Sequence, residues 1–120
     1  MSWRDLSSAP PPGTPVCAAE AVTTTKSLLV ESERGAFPIL LVRAGGRLAA
    51  YLNACPHQYL PLDYRAPNLL SADGTRLLCS SHGAAFDAAT GEGVDGFGLG
   101  CALDRVPVTI DADGMVRIAD

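Results

Sequence analysis

Both histidines of this 120-residue chain sit beside a cysteine, in Cys55-Pro56-His57 and in Cys79-Ser80-Ser81-His82. Each element offers one thiolate and one imidazole within a single loop, so two ligands can converge at little closure entropy. For all four to face one site, residues 58–78 must leave and return, which requires a fold that holds two loops side by side. A lone Cys-x-His carries little weight on its own, since a buried thiol beside a surface histidine gives the same pattern. Here the pattern occurs twice and takes up every histidine of the chain. Its order is Cys, His, Cys, His. A structural zinc finger instead places both cysteines in one element and both histidines in the other.

The rest of the chain reads as short strands separated by turns. Gly (12) and Pro (9) are plentiful, and no stretch shows a sustained 3.6-residue apolar period with caps. Strands are expected at Val16–Ala19, Lys26–Glu31, Phe37–Arg43, Arg47–Asn53, Thr75–Leu78, Arg105–Ile110 and Met115–Ile118. Gly45-Gly46 is expected to turn a hairpin, and Asp73-Gly74 and Asp113-Gly114 carry the same kind of signal. This is an all-β chain, a sandwich or small barrel. Residues 1–15, with Ala9-Pro10-Pro11-Pro12-Gly13, are expected to be a flexible lead-in to one domain over 16–120. Within that domain, residues 53–90 read as site-bearing loops on a β scaffold.

Charge and composition exclude several functions. A net charge of −4 with nine scattered Lys and Arg argues against a nucleic-acid partner or an anionic membrane surface. No apolar run approaches the roughly 20 residues of a membrane span, and no signal peptide is evident, so a cytoplasmic location is expected. In a reducing compartment four cysteines suit metal ligation or burial better than a disulfide framework. Cys17 and Cys101 have no ligand-spaced neighbour and are expected to be small buried hydrophobes. No general acid–base pair and no nucleophile–base arrangement is present. Gly91-x-Gly93 and Gly96-x-Gly98-x-Gly100 do not lead from a strand into a helix, so they are not a dinucleotide fingerprint.

The segments around the four ligands extend the pattern. Cys55-Pro56-His57-Gln58-Tyr59-Leu60-Pro61-Leu62-Asp63 and Cys79-Ser80-Ser81-His82-Gly83-Ala84-Ala85-Phe86-Asp87, followed by Thr90-Gly91, resemble the two cluster-binding loops of Rieske-type [2Fe–2S] ferredoxins. Gly96 and Val106-Pro107-Val108 resemble later segments of that family, so the likeness runs over about residues 16–120. It implies two antiparallel β layers as a base, in a sandwich or partial barrel, with a smaller cluster-binding subdomain. It further implies that Cys55 and Cys79 hold one iron, and that His57 and His82 bind the other, nearer the surface. Imidazole in place of thiolate on one iron raises the potential over an all-cysteine cluster.

By the same resemblance the chain is a soluble electron carrier with no catalysis of its own. It would pass single electrons from a flavin-dependent reductase to a terminal oxygenase, as a monomer or weak oligomer. The small Rieske subunit of a larger oxidoreductase, such as a nitrite reductase, is an alternative; a zinc-stabilised interaction domain is another. Respiratory Rieske proteins carry an extra cysteine in each loop, where this chain has Leu60 and Ser81, so that bridge cannot form. They also carry serine and tyrosine hydroxyls where Ala84 and Phe86 stand. Without those donors the reduced state is less stabilised, and a low potential is expected. Tyr59 stands where such ferredoxins usually have glycine, and Gly96-Phe97 where they have Gly-Pro. Tyr59, Leu60, Pro61 and Phe97 would form an apolar patch near the histidines.

Overall fold

A computed structural model describes residues 3–44, 46–54, 71, 74–78, 85–95 and 102–119. Nine strands are described: β1 Pro15–Ala18, β2 Thr25–Ser32, β3 Gly35–Ala44, β4 Arg47–Leu52, β5 Arg76–Leu78, β6 Ala85–Asp87, β7 Gly93–Asp95, β8 Val108–Ile110 and β9 Met115–Ile118. They form three antiparallel sheets of three strands, in the orders β1-β9-β8, β2-β3-β4 and β5-β6-β7. The expected all-β architecture is the observed one. β6 and β7 were not among the expected strands. They are three residues each and too short to show an alternation of their own.

The middle sheet is covered on both faces, and its sequence shows it. Ile39, Leu40, Leu41 and Val42 are all buried, a continuous apolar run where a half-exposed strand would alternate. Leu40 and Val42 join Ala49, Tyr51, Leu77, Phe86, Ala88 and Leu103 in one core cluster, towards the small β5-β6-β7 sheet. Ile39 and Leu41 join Phe37, Ala50, Val106, Val116 and Ile118 in the other, towards the β1-β9-β8 sheet. Pro38 is tolerated inside β3 because its missing N–H lies where the pairing with β4 ends; its carbonyl still accepts the Asn53 N–H at 3.1 Å.

The turns behave as their chemistry dictates. β3 and β4 are paired up to Ala44 and Arg47, so a two-residue connection closes the hairpin, with Gly46 at φ +80°. Between β8 and β9, Asp111 Oδ1 accepts the N–H groups of Asp113 and Met115 at 2.9 and 3.0 Å, and its Oδ2 pairs with Arg117 at 2.8 Å. The Asp111 carboxyl is accordingly held below the ordinary carboxylate range, first by the Arg117 bond.

The lead-in is a correction. Residues 3–14 pack onto the domain instead of fraying from it. Trp3 is 5% exposed and meets the Phe37 ring edge-on at 5.7 Å. Ala9 is also buried, and Gly13 N–H donates to the Ile118 carbonyl at 2.7 Å. The open face of the middle sheet needs an apolar cover, and a segment already stiffened by three prolines loses little entropy in supplying it. Trp3 is the chain's one tryptophan, so this packing has a direct readout. Its native fluorescence is expected to be blue-shifted and several-fold less quenched by acrylamide than in the unfolded chain. Solvent-like emission from the native protein would mean that the segment is detached.

Candidate metal centre

Cys55, His57, Cys79 and His82 lie outside the described residues, as do Tyr59, Leu60, Ala84, Phe97 and Cys101. The described residues do include the ends of the strands that flank the two Cys-His segments. The second loop leaves β5 at Leu78 and re-enters β6 at Ala85, and these two residues are a cross-strand pair. Paired Cα atoms stand about 5 Å apart, so six residues, 79–84, must close over that gap. Cys79 and His82 fall in the sequence between these two paired residues. Asp95 of β7 pairs with Ala85, and residues 96–101 leave from the same row.

The first loop leaves the end of β4, where Leu52 N–H donates to the Asp104 carbonyl at 2.9 Å and Asn53 is buried. One cluster of side chains ties the two roots together. Tyr51, four residues before Cys55, packs with Leu77 and Phe86, which flank the second loop. The Tyr51 hydroxyl is fully buried and donates to the Ala88 carbonyl at 2.9 Å. The turn beyond β6 is held by Asp87, whose Oδ1 accepts the Ala89 and Thr90 N–H groups, both at 2.9 Å. This gives Asp87 and Thr90 of the second motif a structural task in the turn.

Gly91 completes the arrangement. At φ +82° it lies against the Tyr51 ring, and a Cβ there would come within 2.8 Å of Tyr51 Cε1. Its N–H donates to the Asp87 carbonyl at 2.8 Å, and its carbonyl accepts the Leu103 N–H at 2.7 Å. Sequence reasoning placed Gly91 in the motif without a task and passed over Tyr51. The signal for Tyr51 was a lone aromatic in the small-residue setting of β4, Arg-Leu-Ala-Ala-Tyr-Leu.

Burial pushes the Tyr51 phenol up to about 12; the Arg105 guanidinium pulls against this and the Asp87 carboxylate adds to it. The ordinary tyrosine value is about 10. A phenol raised by folding contributes stability that is complete below about pH 10 and is lost as pH rises through about 12. In an alkaline titration followed by tyrosinate absorbance, Tyr51 is therefore expected to give a late step above the ordinary tyrosine range. Tyr51→Phe should remove that late step; a late step that survives the substitution belongs to another tyrosine. Cys17, expected to be buried, is only half-buried on β1, and its thiol is raised chiefly by burial.

Among the described residues no three potential metal ligands cluster. No described helix is long and apolar enough to cross a membrane.

Residues 13–101 match the Rieske [2Fe-2S] domain family, and the chain belongs to it. Its cofactor is a Rieske-type [2Fe–2S] cluster. The Sphingomonas yanoikuyae B1 ferredoxin is 26% identical, with 90% of this chain and 98% of that one covered and a TM-score of 0.69. A chain from the complex of reduced oxygenase and oxidized ferredoxin in carbazole 1,9a-dioxygenase is also 26% identical, covering 88% and 90%, with a TM-score of 0.67. The terminal oxygenase of carbazole 1,9a-dioxygenase from Nocardioides aromaticivorans IC177 shares the fold over 29% of its length, at 22% identity and a TM-score of 0.67, with 88% of this chain covered. No curated protein matches the sequence.

The donor set fits the cofactor. Two thiolates and two imidazoles in alternating order satisfy a cluster with cysteines on one iron and histidines on the other. Cys79 and His82 would supply one donor of each kind from the six residues between the paired Leu78 and Ala85.

Proposed function

We propose that this chain is the ferredoxin of a multicomponent oxygenase system. It takes single electrons from a flavin-dependent reductase and delivers them to a terminal oxygenase, in the cytoplasm, without catalysing a reaction on substrate itself. Cys55 and Cys79 hold one iron of the cluster, and His57 and His82 hold the other. When bound, the cluster supplies one-electron chemistry, and the protein supplies ligands, orientation and a docking face. The observation that carries the reading is the core cluster of Tyr51, Leu77 and Phe86, which joins the strand before the first Cys-His segment to the paired strands that flank the second. The ferredoxin relatives, one of them from a complex with its oxygenase, support the choice of partner.

The test is an EPR spectrum of the dithionite-reduced protein. A rhombic signal with an average g below that of all-cysteine clusters is expected. His57→Cys or His82→Cys should move or abolish it, and Cys79→Ser should give colourless protein without acid-labile sulfide. A spectrum unchanged by either histidine replacement would overturn the ligand assignment. A colourless wild-type protein holding one zinc would overturn the carrier role.

A further inference from the structure

β4 and β8 are edge strands of two different sheets, and the chain stitches these sheets together at one end only. Around the Tyr51–Arg105 bridge, Val106 N–H donates to the Ala50 carbonyl and Leu52 N–H to the Asp104 carbonyl, both at 2.9 Å. Bonding groups alternate along an antiparallel ladder, so the next rung would join Val108 N–H to the Leu48 carbonyl. That rung is absent. At Pro107 the segment turns towards β9, where the Pro107 carbonyl accepts the Ala119 N–H at 2.8 Å. By the same alternation, Leu48 on one side and Val108 and Ile110 on the other aim backbone N–H and C=O groups into the gap.

The gap is a cleft of about 570 Å³ lined by Arg43, Arg47, Leu48, Arg105, Val108 and Ile110, with no carboxylate among the described residues of its walls. Three of the nine cations of an acidic chain gather here. Arg43 donates to the Val22 and Ala19 carbonyls, both at 2.6 Å, and Arg105 to the Ala89 carbonyl at 3.3 Å. A neutral carbonyl orients Arg105 without cancelling its charge, whereas Arg43 also lines a smaller cavity with Glu20 and Asp113, so Arg47 and Arg105 are the cations the cleft offers. Among the described residues the one ion pair is Arg117–Asp111, on the β8–β9 turn.

We propose that this cleft receives an extended, carboxylate-bearing segment of a partner protein, added as a strand between β4 and β8. Unpaired backbone groups on two facing edges are what a strand satisfies. Unneutralised guanidinium groups select carboxylates, held by charge-assisted bonds. Ile110 is 51% exposed at the cleft, apolar surface that a protein segment would cover. The cleft lies at the Arg47 end of β4, and the first Cys-His loop follows the Leu52 end, roughly 17 Å along the strand. A partner held here leaves the Cys-His loops free for a second one. The inference stands on edge pairing and charge, and does not rest on the electron-carrier reading.

The probe is the peptide acetyl-Thr-Glu-Val-Glu-Val-Glu-Thr-amide, titrated into the cluster-loaded protein at low salt and followed by amide NMR. Saturable binding is expected, with the largest shifts and slowed hydrogen exchange at Leu48, Val108 and Ile110. Glutamine in place of the glutamates, or Arg47→Glu in the protein, should each weaken binding by about tenfold or more. Arg105→Gln gives a second, milder variant should Arg47→Glu disturb the hairpin. Equal binding by the glutamine peptide, or shifts without slowed exchange, would overturn the proposal. So would glutarate giving the same shifts and displacing the peptide at equal concentration, since the cleft would then be a small-anion site.

Discussion

Gly91→Ala is expected to lower the unfolding free energy by about 2–4 kcal/mol, the sum of about 1 kcal/mol for a left-handed alanine and 1–3 kcal/mol for overpacking. The overpacking arises because the new Cβ would meet Tyr51 Cε1 at 2.8 Å and the Leu103 carbonyl oxygen at 3.3 Å. Neither neighbour can yield freely. The Tyr51 ring is fully buried, with its hydroxyl on the Ala88 carbonyl, and the Leu103 N–H is bonded to Gly91 itself. Gly114→Ala is the control: its φ is also +82°, but nothing lies within 4 Å of the added carbon. That variant should lose about 1 kcal/mol from backbone strain alone. Urea unfolding of both proteins separates the two terms. A Gly91→Ala loss no larger than the Gly114→Ala loss would mean that the Tyr51 contact carries no weight.

What the sequence made legible follows from how local each signal was. The β3–β4 and β8–β9 hairpins announced themselves because Gly45-Gly46 and Asp113-Gly114 are turn residues between strong apolar runs. The two Cys-His motifs stood out because they take up both of the chain's histidines. β6 and β7 were not, since Ala85–Asp87 and Gly93–Asp95 are too short to show a period and owe their pairing to β5 and to the turn held by Asp87. The burial of Trp3 was illegible for a related reason. The proline tract after it argues correctly against a helix or a central strand, but an irregular segment can still pack. Phe37, its partner in the core, lies more than thirty residues along the chain, and only the tertiary fold brings the rings together. The cleft between β4 and β8 depends on where a ladder stops. Pro107 marks that point in the sequence, but its meaning needs the pairing of Val106 with Ala50 and of Ala119 with Pro107.

The reduction potential is expected near the low end of the Rieske range, about −150 mV, and Phe86→Tyr is expected to raise it. Phe86 stands where respiratory relatives are expected to carry a tyrosine hydroxyl, and it is fully buried on β6 beside Tyr51 and Leu77. In such a dry setting an added donor acts at low dielectric, and a hydrogen bond to the cluster region favours the more negative, reduced state. A preference of about 1 kcal/mol for that state corresponds to about 40 mV, since about 59 mV in a one-electron couple is a tenfold change. Ala84→Ser should act in the same direction. The same burial sets the risk: a hydroxyl that finds no acceptor there costs about 1–3 kcal/mol of stability. The two readouts therefore separate. A raised potential with stability near wild type means that the hydroxyl bonds in the cluster region; lost stability at an unchanged potential means that the para position of Phe86 faces only core. A strongly positive wild-type midpoint would remove the premise, because the missing hydroxyls would then not be what sets the potential.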